Sequence, residues 1–174
     1  IMQSLDTSGI ENIKIVSARY IHERSGSSIS LTYKIYGNGI LKIKQTLYPS
    51  GVENPELPRF GMKVSVNETF DNLEWFGRGP HESYWDRKTS AKIDRYKGKV
   101  IDQTYKYVRP QETGNKTDIR WLALYNGSIG LMVKGLPVFD GSVHNYDYAL
   151  LDYYKGSQRH GKIDIIKGNQ IDLI

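Results

Sequence analysis

The sequence predicts an all-β protein, a sandwich or barrel of short strands. Apolar and polar residues alternate over several stretches, the period of a half-buried strand. Tight-turn pairs, among them Asn38-Gly39, Asn126-Gly127 and Gly168-Asn169, punctuate those stretches. No segment sustains a helical period for more than about three turns.

The elements follow in order. Ile13 to Tyr20 alternates, with Ile13, Ile15 and Ser17 on one side and Val16 and Ala18 on the other, before HERSGSS breaks it. Ser28 to Tyr36 puts Ile29, Leu31, Tyr33 and Ile35 on one face. The Gly37-Asn38-Gly39 turn leads to Ile40–Tyr48, whose Leu41, Ile43, Gln45 and Leu47 alternate against Lys42, Lys44 and Thr46. This predicts a β-hairpin. A connection stiffened by Pro49, Pro55 and Pro58 follows. Phe60 to Val66 and Leu73 to Phe76 are the next expected strands. Lys92 to Val100 is mixed and charged, and Val100 to Val108 reads as a strand carrying Tyr105 and Tyr107. Ile119 to Tyr125 is apolar enough to suggest burial on both faces, and Ile129 to Lys134 returns from it. Tyr146, Leu150 and Tyr153 recur at helical spacing, so Val143–Asp152 is expected to hold a short helix. Ile163–Ile166 and Gln170–Ile174 close the chain as strands. There is no repeat, heptad or low-complexity segment.

Composition narrows the function. The 174 residues make one ordinary domain, read as 1–174, with 39% hydrophobic and 25% charged residues, a soluble globular make-up. No apolar run approaches the ~20 residues of a membrane span. The N-terminus shows no signal-peptide pattern, and the start at Ile1 reads as a cut fragment. The compartment stays open between cytoplasm and periplasm. The absence of cysteine excludes disulfides, thiolate chemistry and cysteine-ligated metal. Net charge is +5, but the basic residues are scattered and no nucleic-acid reader motif accompanies them, so a nucleic-acid partner is not expected.

Two loops hold the chemistry-bearing residues. WFGRGPHESYWDR, from Trp75 to Arg87, packs aromatics, glycines, Pro80 and charges into thirteen positions; YVRPQETGNKTD is the second. Glycosidases need two carboxylates flanking one bond, and Glu82, Asp86, Glu112 and Asp118 are the candidates. Arginine is as frequent there, so pairing with Arg78, Arg87 or Arg120 to hold the loops is the favoured reading. His22, His81, His144 and His160 show no metal-ligand spacing. A GxSxG nucleophile motif and a phosphate-binding glycine loop are both absent. Flat aromatic faces suit sugar rings. Trp75 and Trp121 read as strand core, and Trp85 as the more exposed candidate for a sugar.

At these loops the chain resembles the C-terminal small-chain domain of bacterial LacZ-type β-galactosidases, glycoside hydrolase family 2. The matching positions are Leu57, Pro58, Arg59 and Gly61; Trp75, Gly77, Gly79, Pro80, Glu82, Tyr84, Asp86 and Arg87; and Tyr107, Val108, Pro110, Gln111, Glu112, Gly114, Arg120 and Trp121. The clear match covers about Leu57 to Lys134, and SQRHGKI, with Arg159 and His160, resembles a weaker fourth block. The resemblance implies an antiparallel supersandwich of the galactose-mutarotase-like type, here truncated, with exposed strand edges and a risk of dimerisation through them. It implies a bacterial parent enzyme that hydrolyses terminal non-reducing β-D-galactose with retention, an oligomer being possible. Both catalytic glutamates of the family lie on a separate (β/α)8 barrel, so no catalytic residue is expected in this chain. The resemblance implies that the matched positions are framework residues and that the domain helps close the active-site pocket against that barrel, its expected partner. Trp85 and His160 are the possible sugar contacts. Mg2+ and Na+ or K+ are implied for other domains of the parent and not for this chain. The pocket aromatic of the family falls near Gln170–Asp172, where this chain has none. Two other readings stand beside this one. One is a stand-alone carbohydrate-binding module. The other is an aldose mutarotase or epimerase, pairing His144 or His160 with Glu112 as acid and base.

Overall fold

The structure is a computed structural model that describes residues 1–51, 57, 59–107, 111–146 and 168–174. These residues are almost entirely strand, turn and irregular backbone, in antiparallel sheets. They divide into two compact units, Ile1–Gly61 and Met62–Ile174.

The first unit is a four-stranded meander in sequence order: β1 (Met2–Ile10), β2 (Ile13–Ile21), β3 (Ser28–Tyr36) and β4 (Leu41–Tyr48). The expected hairpin is β3–β4. Its register sets Ile29 opposite Leu47, Leu31 opposite Gln45, Tyr33 opposite Ile43 and Ile35 opposite Leu41. Residues directly opposite share a face, so the two predicted apolar stripes are one. Ala18 faces both Leu5 and Leu31 across the sheet and extends that stripe through β2 to β1. β1 has no alternating pattern, and its strand state comes from pairing with β2.

The second unit has two sheets. One has the order β10 (Val143–His144), β11 (Gln170–Leu173), β5 (Val64–Asn67). The other has the order β7 (Lys92–Lys99), β6 (Asn72–Gly79), β8 (Lys116–Tyr125), β9 (Gly130–Gly141). Leu73, Trp75, Ile119, Leu122 and Leu124 from the larger sheet meet Val143, Ile171 and Leu173 from the smaller in one core, closed by Val100. Side chains from two sheets sharing one core make this unit a sandwich.

Several expectations are corrected here. Lys92–Lys99, left unassigned by its charge, is the edge strand β7. Val100–Val108 was expected as a strand, but its described residues, through Tyr107, are not one: Val100 plugs the core and a 3-10 turn, Ile101–Gln103, follows at once. Tyr105 N–H then donates to Thr113 Oγ1 at 2.8 Å, outside any ladder. Where a helix was expected from Val143, the chain makes the strand β10; residues 147–152 of that segment, like Ile163–Ile166, lie outside the described residues. β8 begins three residues earlier than expected and is fully buried on one face only. Ile119, Leu122 and Leu124 all point inward, a spacing of three and then two, because the register with β9 shifts on both sides of Ile119. Trp121, opposite Phe76 and Lys134, lies half-buried on the outer face and is not core.

Candidate functional site

The stretch Trp75–Arg87 is half strand. β6 runs through Gly79, with Trp75, Gly77 and Gly79 inward and Phe76 and Arg78 on the other face. Trp75 is 2% exposed, and its indole N–H donates to the Arg78 carbonyl at 3.0 Å. Gly79 lies under that ring: a Cβ there would stand 2.8 Å from Tyr96 and 2.9 Å from Trp75. The loop proper starts at Pro80.

Glu82 is the hub of that loop. Its carboxylate accepts from the Tyr107 hydroxyl, from the Gly114 N–H at 2.7 Å, from Thr113 Oγ1 at 3.1 Å and from Arg87 Nη2 at 3.0 Å. Burial pushes its pKa up. The Tyr107, Gly114 and Thr113 donors and the Arg87 charge outweigh burial, so the net shift is downward. The Arg87 guanidinium also stacks over the Tyr84 ring at 4.5 Å and donates to the Tyr107 hydroxyl at 3.1 Å. Gly114 has φ +76, and a Cβ there would meet the Gln103 carbonyl at 2.6 Å, so only glycine lets this backbone reach Glu82. Next to this hub Ser83 is fully buried. Its N–H donates to the Asn115 carbonyl, its carbonyl accepts from the Asn115 side-chain amide, and its hydroxyl bonds Thr117 Oγ1 at 2.9 Å. Burial pushes the Tyr84 phenol well above its usual range.

Lys116 lies among these groups, 3% exposed, with its ammonium 5.2 Å from the Trp75 ring centroid. Among the described residues no carboxylate forms an ion pair with it. Burial lowers its pKa to about 8, and the Glu82 charge opposes that only in part.

A second cluster sits at the β8 irregularity. Asp118 has φ +55, a left-handed conformation uncommon outside glycine. Three groups hold it. Its N–H donates to Asp140 Oδ1 at 3.1 Å, its carbonyl accepts from Arg120 at 2.6 Å, and its carboxylate accepts from Arg78 Nε at 2.5 Å. The Arg78 bond, with the Lys88 and Arg120 charges, keeps the Asp118 pKa below the usual value. Asp140 goes the other way, raised chiefly by burial and also by the Asp118 charge. Beside them Trp85 is 76% exposed, with Lys88 Nζ 3.9 Å from its ring centroid.

The structure therefore brings Trp75, Gly79, Glu82, Tyr84, Arg87 and Gly114 together, and separately Asp118, Arg120 and Trp85. Arg59, Pro80, Asp86 and Gln111 are exposed, and Glu112 is half-buried. Pro110 and His160 lie outside the described residues. His144, fully buried, has Asp172 as its cross-strand neighbour on β11. Asp172 is itself held by Ser65 at 2.6 Å and Lys63 at 2.7 Å. The sequence reading missed Lys116, Asp140 and Lys88. Their charge alone marks them as solvated, and only the register buries or gathers them. Among the described residues no group of three or more His, Cys, Asp or Glu is placed to hold a metal ion, and no helix is long and apolar enough to cross a membrane.

Comparison with known proteins fixes the family. The family model for the β-galactosidase small chain matches residues 2–162. The chain belongs to the β-galactosidase small-chain family. A β-galactosidase of Priestia megaterium is 45% identical over 141 residues, 80% of this chain and 14% of that protein. One from Halalkalibacterium halodurans is 33% identical over 58% of the chain and 10% of its own length. One from Vibrio cholerae is 30% identical over 84% and 14%. This small-chain domain thus spans about one-seventh or less of the curated relatives it matches.

Proposed function

We propose that this chain is a non-catalytic domain of a β-galactosidase, an enzyme that hydrolyses terminal non-reducing β-D-galactose, and that it helps close a pocket whose two catalytic glutamates are carried by a separate (β/α)8 barrel. The observation that carries the reading is the state of Glu82. It is the best-placed carboxylate of the family motif, and its oxygens are taken by four donors from two loops. A carboxylate so bound and so acidic is a poor proton donor and a hindered nucleophile. Its chemistry is that of a cross-link, the role of a framework residue.

One pair speaks for a second reading. Asp118 and Asp140 are neighbours with pKa values pushed in opposite directions, the usual sign of an acid and a base. Asp118, however, is held by Arg78 and faces Lys88 at 3.7 Å, and Asp140 already accepts a backbone bond. We read the pair as structural. Turnover of a chromogenic β-galactoside separates the two readings. The full-length parent hydrolyses it and the purified 174-residue chain does not. Hydrolysis by the purified chain that Asp140→Asn abolishes would overturn the non-catalytic reading.

A further inference from the structure

We propose that the outer face of the larger sheet is a docking surface for an apolar patch rimmed by carboxylates on another domain of the parent polypeptide. That there is such a parent rests on the reading above; the face rests on register, exposure and charge. The inner face of this sheet packs into the sandwich core. In an antiparallel sheet the opposite face, turned to water, is ordinarily polar. Here it is not. The register sets Phe76 opposite Trp121 and Trp121 opposite Lys134. Two residues along each strand, Glu74 lies opposite Ala123 and Ala123 opposite Met132, and Tyr125 is one step further on β8. Phe76, Trp121, Ala123, Tyr125 and Met132 therefore share one face across three neighbouring strands. Phe76 is 37% and Met132 63% exposed, and the other three are half-buried. A contiguous apolar patch of this kind inside a polar rim marks an interaction surface.

Its composition is that of a protein–protein interface, where aromatic residues, methionine and arginine are enriched. The Arg95 and Arg120 guanidiniums lie 5.9 and 5.7 Å from the Trp121 and Phe76 ring centroids. Charge decides the occupant. Arg95, Lys97, Arg120 and Lys134 frame the patch. The register places one carboxylate among them, Glu74, and Arg95 takes it. Among the described residues neither Lys97 nor Lys134 forms an ion pair. A two-fold contact uses the same patch on both sides, so a second copy of this chain would set these cations against one another, which is costly. The face thus disfavours itself and requires a partner with an acidic rim. The chain covers 14% or less of the β-galactosidases compared above, so most of such a polypeptide is left to supply that rim.

The test compares the full-length parent with the 174-residue chain. Hydroxyl-radical footprinting read by mass spectrometry reports the exposure of Met132. Its labelling is expected to be about tenfold slower in the parent, because the core of an interface is packed as densely as a protein interior. A carbodiimide, which joins an amine to a carboxylate in direct contact, then reads the rim. In the parent it is expected to link Lys134 to an Asp or Glu outside residues 1–174. Equal labelling of Met132 in the two proteins overturns the docking face. Links from Lys134 confined to carboxylates of residues 1–174, or no link at all, overturn the acidic partner. Labelling of Met132 in the isolated chain that falls as its concentration rises would assign the face to a second copy, and overturns the proposal as well. Each of these results leaves the galactosidase reading intact, because that reading stands or falls on turnover by the parent.

Discussion

Lys116→Met tests the energetics of the site most directly. Lys116 is 3% exposed and, among the described residues, has no ion-pair partner. Its pKa falls from 10.5 to about 8, which corresponds to about 3 kcal/mol of preference for the neutral amine on folding. Removing the charge recovers that preference at pH 7. It also loses the contact with the Trp75 ring at 5.2 Å, about 1 kcal/mol. Methionine keeps the length and apolar character of the stem. The net expectation is stabilisation of about 2 kcal/mol at pH 7, which raises the midpoint by about 4–8 °C. The pH dependence is the sharper signature. The unfolded chain holds this proton more tightly than the folded one, so unfolding takes up a proton between about pH 8 and 10.5. The cost is fully present below pH 8 and is relieved as pH rises through that window. Urea titrations of both proteins at pH 7, 8, 9 and 10 give the difference directly. The advantage of Lys116→Met should shrink as pH rises. A variant less stable than wild type at pH 7, or a difference independent of pH, would refute the burial account.

Other substitutions probe the framework. Glu82→Gln removes the charge behind four hydrogen bonds and should cost about 2 kcal/mol in urea unfolding at pH 7. Because the Glu82 pKa is lowered on folding, its contribution is present above the unfolded value of 4.5 and is lost as pH falls through the folded value; Glu82→Gln should flatten acid unfolding in that range. Gly79→Ala places a methyl 2.8 Å from Tyr96 and 2.9 Å from Trp75. It should cost about 1–3 kcal/mol and perturb the near-ultraviolet circular dichroism of Trp75.

The parts of the fold that were legible in the sequence are those specified locally. The β3–β4 hairpin has a clean period of two on both strands and a Gly-Asn-Gly turn, so faces and pairing follow without the rest of the chain. β1 and β7 were illegible for opposite reasons. MQSLDTSGI has no apolar alternation, and its strand state is imposed by β2. KIDRYKGK sits at the edge of its sheet, where charge is tolerated on both sides. The inward set Ile119, Leu122, Leu124 defeated simple alternation because the strand is irregular there. At the site, Glu82 and Arg87 were legible as a charged pair inside one loop. The donors from Thr113 and Gly114 were not, being a hydroxyl and a backbone N–H some thirty residues away.

The Glu82 hub has a consequence for how the larger sheet forms. β6 and β8 are adjacent in the sheet but separated in sequence by β7 and two loops, so their alignment is not dictated by a short hairpin. Glu82 lies just past the end of β6, and its partners Thr113 and Gly114 lie just ahead of β8. Slipping β8 by one residue would carry those donors about 3.4 Å out of reach and would turn Ile119, Leu122 and Leu124 toward solvent. The carboxylate therefore acts as a key that accepts only one alignment of two strands. Without it, mispaired sheets become competitive during folding, and refolding yield should fall further than equilibrium stability does.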